Sequence, residues 1–115
     1  MKKIIFCILS AIILFSASIA YAHPPQDIIL TYDPATKTLT ALIKHNVSNP
    51  ETHYIKKVDI GLNNKEVATL KFTHQDNNLT QTAVYTLKDA RPGDSLSVEA
   101  YCSISGKLKK EIKVK

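Results

Sequence analysis

One sulfur and four imidazoles are the donor atoms in this chain best suited to chemistry. Cys102 lies in the stretch Ala100-Tyr101-Cys102-Ser103-Ile104-Ser105-Gly106, and the histidines are His23, His45, His53 and His74. A thiolate with imidazoles suits iron, zinc or copper rather than calcium or magnesium. Other chemistry is sparse. No glycine-rich phosphate loop and no Ser-His-Asp spacing occurs, and Asp59 and Glu99 fall on outward strand phases and read as solvated.

Each donor also has a structural reading. Cys102 is a buried inert thiol, a metal thiolate or a reactive group; its inward phase at a strand end favours the ligand. His53 opens a strand that would fix its direction. His45 is balanced between ligand and loop residue, and His74, in the polar run His74-Gln75-Asp76-Asn77, reads as solvated. His23 precedes Pro24. As a first residue it would offer its amine and a ring nitrogen together, a chelate that copper(II) favours, while Pro24 has no amide proton to lose.

The elements that must position these residues are strands. Leu39, Ala41 and Ile43 alternate with Thr38, Thr40 and Leu42, and Leu96, Val98, Ala100 and Cys102 alternate with Ser97, Glu99 and Tyr101. Period two with one apolar phase marks a half-buried strand. Further strands are predicted around Ile28 to Tyr32, Ile60 and Leu62, Val67 to Thr73, Thr82 to Leu87, and Leu108 to Val114. Turn signals at Asp33-Pro34, Asn49-Pro50, Asn63-Asn64 and Arg91-Pro92-Gly93 separate them. Seven short strands without a helical period predict an all-β, seven-stranded immunoglobulin-like β-sandwich. The Cys…Trp…Cys of antibody domains is absent. In an antiparallel sandwich, starts of odd strands and ends of even ones share a rim. His23, His45, His53, His74 and Cys102 all fall at that rim.

The chain opens Met1-Lys2-Lys3, runs apolar from Ile4 to Phe15 and reaches Ala20-Tyr21-Ala22. This predicts a signal peptide over 1–22, cleaved before His23, and a periplasmic or secreted product without a membrane span. Phe6 before Cys7 does not suit a lipoprotein signal. Cleavage leaves 93 residues, enough for one domain, and lowers the formal charge from +5 to +3, too mild to argue for nucleic acid. Cys102 is then the mature chain's single cysteine, so no intrachain disulfide can form. Five lysines in the last nine residues read as protection of an edge strand, or as a docking patch for an acidic partner.

His53-Tyr54-Ile55, the alternation to Leu62 and the Cys102 stretch resemble the ferrous-iron domain of the superoxide reductases, desulfoferrodoxin and neelaredoxin. The resemblance covers nearly all of residues 23–115 and implies an immunoglobulin-like sandwich. In that family four histidine nitrogens ring a ferrous ion and a cysteine sulfur sits axially. The thiolate pushes electron density onto iron, superoxide is reduced to peroxide at the open sixth position, and a small electron-donor protein is the implied partner. Carried over residue by residue, Cys102 matches the axial ligand, His53 the histidine of the His-Tyr-Ile segment, and His23 the early ligand. His45 stands near the remaining loop ligand, but farther from His53 than the family's spacing. Ser105 stands where the family has its last histidine, and the lysine that precedes the first ligand in many members has no equivalent.

Three functions follow as expectations. The first is a superoxide-reductase-like redox domain holding non-haem Fe2+ through His23, His45, His53 and Cys102. The second is a periplasmic copper carrier built on His23. The third is a degenerate sandwich serving as a binding module, of which the sulfur-carrier proteins of thiosulfate oxidation, related in fold, are a variant.

Overall fold

The structure, a computed structural model, describes residues 23–115; the expected signal peptide lies outside them. Seven strands follow one another: β1 (Asp27–Asp33), β2 (Thr38–Lys44), β3 (Ile55–Leu62), β4 (Lys65–Lys71), β5 (Thr80–Thr86), β6 (Ser95–Cys102) and β7 (Lys107–Lys113). They form two antiparallel sheets, β1-β2-β5 and β4-β3-β6-β7. The expected sandwich is therefore the fold.

The alternation in sequence builds the core. Leu39, Ala41 and Ile43 of β2 face Val58 and Ile60 of β3 and Leu96, Val98 and Ala100 of β6, all buried. Burying such side chains contributes about 1.5–3 kcal/mol each for the larger ones. The turns are set by short polar residues. Asn63 and Asn64 both take positive φ, 52° and 66°, the type I′ geometry that suits a two-residue hairpin.

Strand ends differ from the sequence reading by one or two residues in several places, and two of these bear on the rim. β5 begins at Thr80, because Asn77 Oδ1 accepts from the amides of Leu79 and Thr80 and turns the chain early. His53 does not open β3 but precedes it by two residues. It ends a turn in which Asn49 O accepts from Thr52 N and His53 N, and Tyr54 then pairs with Ser103 through backbone and hydroxyl. A register shift between Ile55 and Lys57 marks a bulge directly after it, a device that re-aims side chains beside sites.

β7 is an edge strand with exposed lysines, as expected. Lys110 reaches Asp27 of β1 at 3.4 Å and ties the two sheets there. Asp59 and Glu99 are half-buried and paired rather than free: Asp59 with Lys57 and Thr69, Glu99 with Lys107 and the Tyr101 hydroxyl.

Candidate metal centre

Register places the donors on one rim. Asp27 pairs with Lys44, so the chain before β1 and the chain after β2 leave side by side; Ile55 pairs with Cys102, so the entry to β3 meets the end of β6. His23, His45, His53 and Cys102 occupy those four exits.

Three imidazoles form a triangle. Ring centroids are 5.0 Å apart for His23 and His45, 5.1 Å for His23 and His53, and 4.8 Å for His45 and His53. One ring nitrogen from each lies within 4.8 Å of the others. Three nitrogens about 2.1 Å from one ion stand about 3.0–3.6 Å apart in pairs, so an ion would draw the rings together by up to roughly 1–2 Å. The sulfur of Cys102 is 3.2 Å from His53 Nε2. Ligands at about 2.1 and 2.3 Å from one ion stand about 3.1 Å apart at a right angle and about 3.6 Å at the tetrahedral angle. The observed spacing is thus near that of two cis ligands in an octahedral or square-pyramidal set. The donor set fits a thiophilic transition metal.

His45 is fully buried. Its Nδ1 lies 2.9 Å from Gln75 Oε1, and the Gln75 amide nitrogen donates to the carbonyls of His45 and Asn77 at 2.7 and 3.0 Å. His23 is half-buried, with Nδ1 3.1 Å from Pro24 O; the carbonyl can only accept, so this contact leaves the lone pair on Nε2. Cys102 is buried, and its sulfur also accepts from Ile104 N at 3.5 Å.

The electrostatics favour neutral imidazoles at His45 and His53. Burial pushes the His45 imidazole below its ordinary range, and charge on His23 adds to this against the pull of Gln75 and the His23 carbonyl. Burial also lowers His53, followed by charge on His45 and His23. Neutral imidazoles keep the lone pair a metal requires.

The backbone strap that carries His23 is fixed by Gly106. That glycine has φ +91°, and a Cβ there would stand 2.8 Å from Pro24 N and 3.0 Å from Pro24 Cα. The His23 strap therefore lies directly on the turn after Cys102. On the solvent side, a recess of about 480 Å³ opens beside His23 and His53, lined also by Val47, Ser48 and Leu79.

His23, His45 and His53 meet at one place, and the Cys102 sulfur lies against His53. His74 is exposed, beside the Thr73 hydroxyl, outside the cluster, in keeping with its reading as solvated. Ser105 is exposed in the turn before Gly106. Gln75 carried no signal in the sequence: one amide in a polar loop shows no period, and its burial depends on contacts 30 residues away.

No protein-family model matches the sequence, and no curated protein matches it. Solved structures do match. A hypothetical protein of Pyrococcus horikoshii superposes with a TM-score of 0.59 at 18% identity, over 85% of this chain and 94% of that one. A superoxide reductase in its oxidised state superposes with a TM-score of 0.57 at 15% identity, over 85% of this chain and 94% of the enzyme's. Identities this low show a shared fold. This sandwich is similar to that of superoxide reductase.

Proposed function

We propose that the chain is an exported metal-binding redox domain that holds non-haem iron through His23, His45, His53 and Cys102. The carrying observation is the meeting of three imidazoles and a thiol sulfur on one rim of a superoxide-reductase-like sandwich. His45 and His53, neutral by burial, supply lone pairs without first losing a proton. Cys102 supplies the sulfur, with Ile104 N donating to it and stabilising negative charge there. The recess beside His23 and His53 gives a small oxygen species access from solvent. An iron ion so held would supply one electron to superoxide, which leaves with two protons as hydrogen peroxide, and a small electron-donor protein would restore that electron.

The set is one imidazole short of the family's four, because Ser105 replaces a histidine. One observation therefore favours a second reading. The three imidazoles meet without the sulfur, so a copper carrier using the triangle and the His23 amine needs no Cys102.

The test is the metal content of protein purified from the periplasm. Near-stoichiometric iron, a thiolate-to-iron band on oxidation lost in Cys102→Ala, and higher iron affinity in Ser105→His are the expected results. Copper binding that survives Cys102→Ala but fails when a residue is added before His23 would move the assignment to the carrier. Absence of any metal, with His53→Ala indistinguishable from wild type, would sink both.

A further inference from the structure

Gln75 is 2% exposed in a loop where every neighbour but Leu79 is polar, and both ends of its amide are engaged. The amide nitrogen faces two carbonyl oxygens, those of His45 and Asn77. Carbonyls only accept, so that end must be the NH2 group. The other end, Oε1, is then an acceptor, and what lies 2.9 Å from it is His45 Nδ1. Nδ1 must carry the hydrogen. In the neutral ring that one proton is then committed, and Nε2 keeps its lone pair. On that side the His23 carbonyl oxygen stands at 3.4 Å, a second acceptor whose long contact competes for the proton less well than Oε1 at 2.9 Å.

We infer that Gln75 is the positioning residue of this site: its amide bridges the ring and the carbonyl of His45, locking the Nδ1–H tautomer and turning Nε2 towards His23 and His53. Free histidine side chains favour the opposite tautomer, so the lock imposes a state that the ring would not prefer alone. The loop is built to hold it. Gln75 N donates to Pro50 O, His45 N to Leu79 O and Val47 N to Asn78 O. The Asp76 carboxylate accepts from Thr82 N and Gln81 Nε2, while Asp76 N donates to Gln81 Oε1. The loop after β4 is thereby laced to the loop after β2, with Gln75 as the buried wedge between them. A second-sphere group that fixes a ligand's tautomer commonly changes metal affinity by about 10–100-fold.

The use of that lone pair rests on the metal-binding reading above; the tautomer does not. Long-range 1H–15N spectra of the metal-free protein at pH 7.5 report the tautomer of each histidine, and Co(II) titration reports affinity. Wild type should show His45 as Nδ1–H. Gln75→Leu removes the acceptor, so His45 should move to Nε2–H or a mixture and the Co(II) Kd should rise by roughly 10–100-fold. Gln75→Glu keeps an acceptor but loses both donors, so it should unfold more easily yet hold the tautomer and bind Co(II) within a few-fold of wild type. Nε2–H in wild type, or an unchanged tautomer with unchanged Co(II) affinity in Gln75→Leu, would overturn the inference. If Gln75→Leu does not fold, the wild-type spectrum and the Gln75→Glu variant decide it. No Co(II) uptake by wild type, with His45 still Nδ1–H, supports the lock and sinks the metal reading alone.

Discussion

A buried imidazole must choose between neutrality and an expensive charge, and His45 has no carboxylate to help it. Among the described residues its side-chain partner is the Gln75 amide, and charge on the neighbouring His23 would oppose a second positive charge. His53 is lowered for the same reasons. The folded state therefore binds fewer protons than the unfolded chain, where histidine titrates near 6.5. Stability is fully present above that value and declines as pH falls below it towards the lowered folded values. Urea midpoints of the metal-free protein should be level from pH 8 to 7 and drop between pH 6.5 and 5; His45→Gln should flatten the drop. A midpoint unchanged across that window would contradict the neutral-ring picture. At this scale the sequence was informative about donors and silent about their support. Strand parity brought His23, His45, His53 and Cys102 to one rim. Gln75 was invisible because nothing in a Gln-Asp-Asn-Asn run says which member turns inward.

Among the elements, the turns and loops decide more than the strands. Alternation made β2 and β6 legible residue by residue, because each has one buried face. The entry to β3 was less so: a turn closed by Asn49, not the strand, sets His53, and its bonds are backbone bonds that leave no mark on composition. Gly106 was readable as a breaker but not as a contact. It bonds back to Cys102 N through its carbonyl, holds φ +91° and leaves room for Pro24. Gly106→Ala asks an L-residue to hold a left-handed backbone and drives a methyl into Pro24. The cost should be about 1–3 kcal/mol, with a fall in Tm of several degrees. The sharper expectation concerns His23: its strap must lift, so metal affinity should fall more than in a control substitution at Gly93. Gly93 also has positive φ, but a methyl carbon added there would meet nothing within 4 Å. Equal losses at the two glycines would mean that the strap does not depend on Gly106.

For the whole molecule, the candidate ligands lie at the ends of elements of both sheets, His45 and Cys102 buried and His23 and His53 half-buried. His23 leads into β1 and His45 leaves β2, in one sheet; His53 leads into β3 and Cys102 ends β6, in the other. The hydrophobic cluster that includes Leu39, Ile43, Ile60 and Leu96 spans both sheets. A sandwich of this size should therefore fold without metal, and an ion at the rim would act as a staple between its layers. A ligand that binds only the folded state stabilises it by RT ln(1 + [L]/Kd), about 2.7 kcal/mol at one hundred times Kd. For a domain of this length each kcal/mol moves Tm by roughly 4–8 °C, so saturating Fe(II) under anaerobic conditions should raise Tm by more than ten degrees. His53→Ala, at a half-buried position, should leave the metal-free Tm within a few degrees of wild type while removing most of that rise. Cys102→Ala should reduce the rise under the iron reading and leave a copper-induced rise intact under the carrier reading. A rise in Tm that persists in both variants would mean that the ion binds elsewhere, and that the rim gathers these side chains for packing alone.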